Sequence, residues 1–211
     1  MKRKVLVALL CWTLIGSGPA AAGENPSFTL PLHIAASTYQ PCNGYLPIDC
    51  TSNHPTVNLS GGGPVAVFIF VANYQRISYL QVGLEWDPSW SHSFGLFDCQ
   101  PGQLEGFFPD SPTTASGVTA FSCVNGPALA VMGRMFFTAG SSGCLAFIQP
   151  PWPTWPNGIH AGDCQLGIDQ ITDEDSPRFG RVCVGSGGVD ACDRVVPVFP
   201  STWGAIKGSY R

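Results

Sequence analysis

The sequence predicts an all-β protein, built as a single antiparallel β-sandwich with disulfide-clipped loops. Three observations carry that expectation. Apolar residues recur with period 2 in many short segments, and Gly/Pro/Asn/Ser clusters punctuate them. No segment beyond the N-terminal leader shows a helical period. Eight cysteines, an even set, follow residue 22; in an exported chain such a set reads as a disulfide framework.

Export is written at the N-terminus. Lys2, Arg3 and Lys4 precede the apolar run Val5 to Ile15, and Gly16 to Ala22 ends in small residues. This is the pattern of a cleavable secretory signal, with cleavage expected after Ala22. The run is too short to span a bilayer, and Cys11 leaves with it. No other stretch is a transmembrane candidate. The expected division is a signal peptide at 1–22, a sandwich domain at 23–200 and a C-terminal tail at 201–211. From Gly23 onward, seven Lys/Arg stand against fourteen Asp/Glu, a net charge of −7. That balance argues against nucleic acid and anionic membranes as partners. Charged residues make up only 11% of the chain, against about 25% in ordinary soluble domains. The expected location is extracellular, with the periplasm or cell surface as the alternative.

The strands follow in order. Phe28, Leu30, Leu32 and Ile34 alternate with other residues, and Pro31 confines that strand to an edge. Pro64 to Ala72 is continuously apolar and predicts a central strand buried on both faces. Leu80, Val82, Leu84 and Trp86 alternate again. Weaker alternation marks Phe94 to Phe97, Val118 to Val124, Ala128 to Thr138, Cys144 to Ile148, Cys164 to Ile168 and Phe179 to Val184. The simplest disulfide framework pairs cysteines in sequence order: Cys42–Cys50, Cys99–Cys123, Cys144–Cys164 and Cys183–Cys192. Each bridge would contribute on the order of 3 kcal/mol. No C-x-x-C occurs, so zinc is the weaker reading.

Val65 to Asn73, a turn, then Ile77 to Pro88 resemble the opening half of cohesin-like and related carbohydrate-binding-like sandwiches. In that group a strand of the form G-x-Q-x-x-L-x-Y-D-P follows the central strand. Here Asp87 and Pro88 match it, Trp86 takes the Tyr place, and Ser78 or Tyr79 stands near the Gly, a departure. Ala130 to Thr138 resembles the later G-x-hydrophobic-x-F strand. The chain also resembles a group of exported bacterial proteins of uncharacterised function. The shared features are Cys99 and Cys123 around Phe107-Phe108-Pro109, the run Gly162-Asp163-Cys164, and a tail like Thr202 to Arg211. The resemblance implies a fold and an extracellular life. In cohesins proper the partner is a dockerin; no activity is implied.

Candidate chemistry is sparse. Glu85 and Asp87 share one strand face, like part of the E-x-D-x-x-E element of jelly-roll glycosidases, but Trp90 stands where the third carboxylate belongs. Asp169, Asp173 and Asp175 are weak calcium candidates without the alternating pattern of a calcium loop. His33, His54, His92 and His160 show no metal-binding spacing. No catalytic residue and no cofactor is assigned. The most suggestive segment is Pro150-Pro151-Trp152-Pro153-Thr154-Trp155-Pro156. As polyproline II it would place Trp152 and Trp155 on one face about 9 Å apart, suited to stacking on a ligand or gripping a partner. In the tail, Trp203, Ile206 and Tyr210 form one stripe if helical, docking on the sandwich itself or on a partner. The expected function is a secreted, non-enzymatic binding or structural module recognising polysaccharide or an envelope protein. The alternatives are a jelly-roll glycoside hydrolase and a subunit of a surface appendage.

Overall fold

The structure, a computed structural model, describes residues 23–36, 50–96, 104–108, 115–125, 129–149, 158–171 and 177–192. The expectations for the signal, Cys42, Cys99, Trp152, Trp155, Asp173, Asp175 and the tail lie outside the described residues. Twelve strands run in chain order: β1 (Leu32–Ala36), β2 (Thr56–Val57), β3 (Gly63–Val71), β4 (Arg76–Trp86), β5 (Ser91–Leu96), β6 (Leu104–Phe108), β7 (Ala115–Asn125), β8 (Ala130–Ala139), β9 (Gly143–Ile148), β10 (Ile159–Gly162), β11 (Ile168–Ile171) and β12 (Arg181–Val184). Among the described residues the helical content is one 3₁₀ turn, Cys50–Ser52. None of those residues forms a helix long and apolar enough to cross a membrane.

Two sheets form the sandwich. The smaller has the order β1-β3-β8-β5. The larger is organised by β4. One edge of β4 pairs with β7, which carries β6. Its other edge is shared: β10 lies opposite Tyr79 to Gln81, and β9 lies opposite Gly83 to Trp86. Beyond them stand β11 on one branch, and β12 then β2 on the other. The named pairings are antiparallel except β2 with β12, which is parallel.

Period 2 explains the packing. Val65, Val67, Ile69 and Val71 point from β3 into the inter-sheet core, meeting Leu80, Val82, Leu84 and Trp86 of β4. Ala66, Phe68 and Phe70, on the other face of β3, form a second buried cluster with Leu129, Val131 and Phe136 beside it. The apolar run is therefore buried on both faces. Pro31 precedes β1 on the edge of the smaller sheet; it donates nothing, while its carbonyl accepts the Phe70 N–H at 3.0 Å. Leu30 turns its backbone the other way, to Arg178 and Gly180, and so closes the side of the sandwich.

One expected strand is a turn instead. Cys164 to Ile168 does not pair through its length, because Asp163 Oδ1 accepts the N–H groups of Gln165 at 2.6 Å and Gly167 at 2.8 Å. Those local bonds compete with a ladder, and Leu166 is left at a positive φ of 70°.

The sequential disulfide framework is overturned. The bonds are Cys50–Cys192, Cys123–Cys164 and Cys144–Cys183. Register is the cause. β12 lies beside β9, which puts Cys183 directly opposite Cys144. β7 and β10 flank β4, and the turn after β10 brings Cys164 to Cys123 on the end of β7.

His33, on the outward side of β1, packs against Phe68, Phe70 and His54, and its Nδ1 accepts the His54 N–H at 3.0 Å. Burial, helped by His54 and opposed by a hydrogen bond that the imidazole donates to the Asn53 side chain, lowers its pKa from 6.5 to about 4. The unfolded chain therefore binds more protons between those values, and stability drains as pH falls through this window. Burial also lowers His92 and His160, with the same sign. Urea unfolding should show a loss of about 2 kcal/mol from His33 between pH 7 and pH 4.5. A His33→Gln variant should show a visibly flatter profile, and an unchanged slope would contradict this account.

Candidate binding groove

Alternation in β4 that buries Leu84 and Trp86 turns Glu85 outward from the larger sheet. On the neighbouring strands Cys144 and Ala146 of β9, and Arg181 and Cys183 of β12, face the same way. The register sets Glu85, Ala146 and Arg181 in one row across three strands. Two strand spacings separate the acid from the base, about 10 Å, and the alanine between them forms a floor. The Cys144–Cys183 bond ties β9 to β12 at one end of this row. The resulting groove has a volume of about 470 Å³ and is walled by Glu85, Asp87, Pro88, Gly143, Ala146 and Arg181.

The groove's end is a fixed turn. Asp87 Oδ1 accepts the Ser89 N–H at 2.9 Å and its hydroxyl at 2.6 Å. The serine hydroxyl, then the amide, hold the Asp87 carboxyl below its ordinary range. The Asp87 N–H donates to Cys144 O, and the Trp90 indole donates to Ser142 O at 3.1 Å. Gly143 has a φ of 119°, and a Cβ there would sit 2.7–2.8 Å from the Asp87 side chain. Gly143→Ala should therefore destabilise by about 1 to 3 kcal/mol. Matched denaturation curves check this, and a change within about ±0.5 kcal/mol, the range of ordinary surface substitutions, would refute the close fit. Arg181 is held by the following hairpin, its Nε donating to Gly187 O at 2.9 Å. Glu85 is exposed, and its side chain, among the described residues, makes no hydrogen bond or ion pair.

This geometry does not assemble the glycosidase element. Trp90, in the third position, is 2% exposed and packs in the core against Phe137. Asp87 is ionised and bonded to Ser89, so it is no proton donor at neutral pH. Glycoside hydrolysis by the usual route needs an acid and a base or nucleophile, both carboxyls; of the two in the groove, Glu85 stands across from Arg181 and Asp87 is tied to Ser89.

A second feature lies further along the same face, where β4 passes from β10 to β9. Tyr79 covers Gly162 on the paired strand and donates its hydroxyl to Gln81 Oε1 at 2.7 Å. Burial pushes the Tyr79 hydroxyl up to about 12. His160 pairs with Gln81, and both are buried. Ile148, at the end of β9, lies opposite Gly83, and His160 of β10 lies opposite Gln81. Gly83 permits this close approach of β9, since a Cβ there would lie 2.5 Å from Ile148 O and 2.8 Å from Gln149 O. Trp152 and Trp155 lie outside the described residues.

Of the calcium candidates, Asp169 sits on β11, and its carboxylate accepts backbone N–H groups of Asn25 and Gly23. Among the described residues no group of three or more His, Cys, Asp or Glu is placed to hold a metal.

No family model and no curated protein matches the sequence. Several solved structures are similar. A cohesin module from the family 33 glycoside hydrolase of Clostridium perfringens ATCC13124 has 6% identity and a TM-score of 0.48, covering 75% of this chain and 96% of that one. A non-cellulosomal cohesin from Archaeoglobus fulgidus has 12% identity and a TM-score of 0.44, with 62% and 85% covered. A type II cohesin domain from the cellulosome of Acetivibrio cellulolyticus has 13% identity and a TM-score of 0.44, with 74% and 95% covered. The likeness concerns the arrangement of strands and assigns no residue a role.

Proposed function

We propose that this chain is an exported, non-catalytic binding module that docks a protein partner on the outward face of its larger sheet. The observation that carries this reading is the row Glu85–Ala146–Arg181: two exposed, opposite charges across a floor of one small side chain, on strands stapled by Cys144–Cys183. Opposite charges at fixed spacing on a rigid surface suit the selection of a complementary partner. Three disulfides support an oxidising compartment, hence the extracellular space or envelope.

A photo-crosslinking amino acid placed at Ala146 tests the reading. In the exporting cell it should capture one exported or envelope protein, identifiable by mass spectrometry. The same reagent at Ser141, outside the row, should not capture it. Release of sugar from a polysaccharide panel, lost in Glu85→Gln, would overturn the reading in favour of a glycoside hydrolase. Retention on such a panel, lost in Trp152→Ala/Trp155→Ala, would make the ligand a polysaccharide.

A further inference from the structure

The residue that export processing would leave first, Gly23, is packed against two buried acids. Asp169 is 9% exposed, and its Oδ2 accepts the Asn25 N–H at 2.6 Å. Its carboxylate also takes the backbone N–H of Gly23. A Cβ at position 23 would lie 2.1 Å from Asp169 Oδ2, so the main chain reaches this carboxylate only as glycine. Asp163 is 4% exposed and stands on the other side. Its Oδ1 takes the two turn amides, whereas its Oδ2 faces Gly167; a Cβ on Gly167 would lie 2.4 Å from that oxygen and 2.9 Å from Gly23 Cα. Gly167 and Gly23 are thus bare where the chain and the acids converge.

Three carboxylates, those of Asp163, Asp169 and Glu24, meet two guanidiniums here, those of Arg76 and Arg178. Burial raises the Asp169 pKa, and the Asp163 charge raises it further; bonds from Asn25 and Gly23 and the charge of Arg178 oppose that. Arg76 is paired with Glu24, and Arg178 donates to the Pro26 carbonyl at 2.9 Å. The segment after Gly23 is firmly seated. Asn25 Oδ1 accepts the Gln75 N–H at 2.8 Å, Asn25 Nδ2 donates to Arg76 O at 2.7 Å, and Phe28 is fully buried.

We propose that cleavage between Ala22 and Gly23 creates the counter-ion for this site: the new α-ammonium of Gly23 is held by Asp169, with Asp163 behind it. The reaction is hydrolysis by the peptidase of the export machinery. The Ala22–Gly23 amide bond breaks, water adds its hydroxyl to the Ala22 acyl carbon and its hydrogen to the Gly23 nitrogen, and the resulting carboxylic acid then releases a proton to solvent while the amine takes one up. One neutral amide donor becomes a cation with three donors. Processing thereby converts a buried pair of like charges into an ion pair that fastens residues 23–28 to the turn between β10 and β11. The folded state distinguishes the processed chain from the unprocessed one.

The exported protein should begin with Gly-Glu-Asn-Pro by mass spectrometry. At pH 8 a succinimidyl ester should acylate the Gly23 amine at least tenfold more slowly in the wild type than in Asp169→Asn, with Lys207, the one lysine after residue 22, as internal reference. Asp163→Asn gives the same comparison if Asp169→Asn does not fold. Inserting one alanine before Gly23, so that the mature chain starts Ala-Gly, should lower the melting temperature and restore ordinary amine reactivity. A different first residue would overturn the proposal. So would equal acylation rates in wild type and both acid variants, or an Ala-extended chain as stable as the native one.

Discussion

Phe137→Ala should cost about 3 to 5 kcal/mol. Phe137 is buried on β8, where its ring meets Trp86 at 5.3 Å, His92 at 5.3 Å and Trp90 at 5.8 Å between centroids. Truncation leaves a void between the sheets that three rings cannot fill without leaving their own positions. The effect reaches the binding face, because Trp86 is the inward neighbour of Glu85 and shares the end of the groove with it. Urea denaturation of the oxidised protein should show the midpoint falling with an unchanged slope. Phe137→Leu should recover more than half of the loss. A cost below about 1 kcal/mol would mean that this aromatic centre is not packed as described.

Removing the Cys50–Cys192 bond should be the most damaging disulfide loss. It spans 142 residues, against 41 for Cys123–Cys164 and 39 for Cys144–Cys183. Loop-closure entropy gives about 5 kcal/mol for the long span and about 4 for each short one. The long bond also holds a small network: Asp190 Oδ1 accepts from Asn53 Nδ2 and the Cys192 N–H, both at 2.8 Å. Replacing both cysteines of each bond with serine and ranking the three variants by unfolding free energy checks the order. Losses below about 1 kcal/mol for Cys50→Ser/Cys192→Ser would contradict it. Six cysteines are thus committed among the described residues, and peptide mapping without reduction reads the three bonds directly.

Local periodicity carries much of the architecture in the sequence, and long-range pairing leaves no such trace. The apolar run of β3 needs two buried faces, and the alternation of β4 sends Glu85 out because Leu84 and Trp86 go in. Trp90 is visible in the sequence as the wrong residue for a third carboxylate, and it is a core residue. The failures have local and long-range causes. The residues Cys164 to Ile168 alternate like a strand, yet Asp163 captures two of their amides. β10 has four residues and β2 two, too few to show a period. Sequential disulfide pairing fails because adjacency in the sheet, β9 beside β12, joins cysteines 39 residues apart. Arg181 is silent in the sequence for the same reason. Its position two residues before Cys183 marks it as sharing that cysteine's face, but only the β9–β12 register brings it level with Ala146 and Glu85.

The most direct test of the binding face is the affinity of the mature protein for the partner captured at Ala146, measured by calorimetry in moderate salt. Glu85→Lys and Arg181→Glu should each weaken binding at least tenfold while leaving the melting temperature within about 2 °C, since both side chains are exposed. Affinity unchanged in both variants would contradict the assignment of this groove as the docking site.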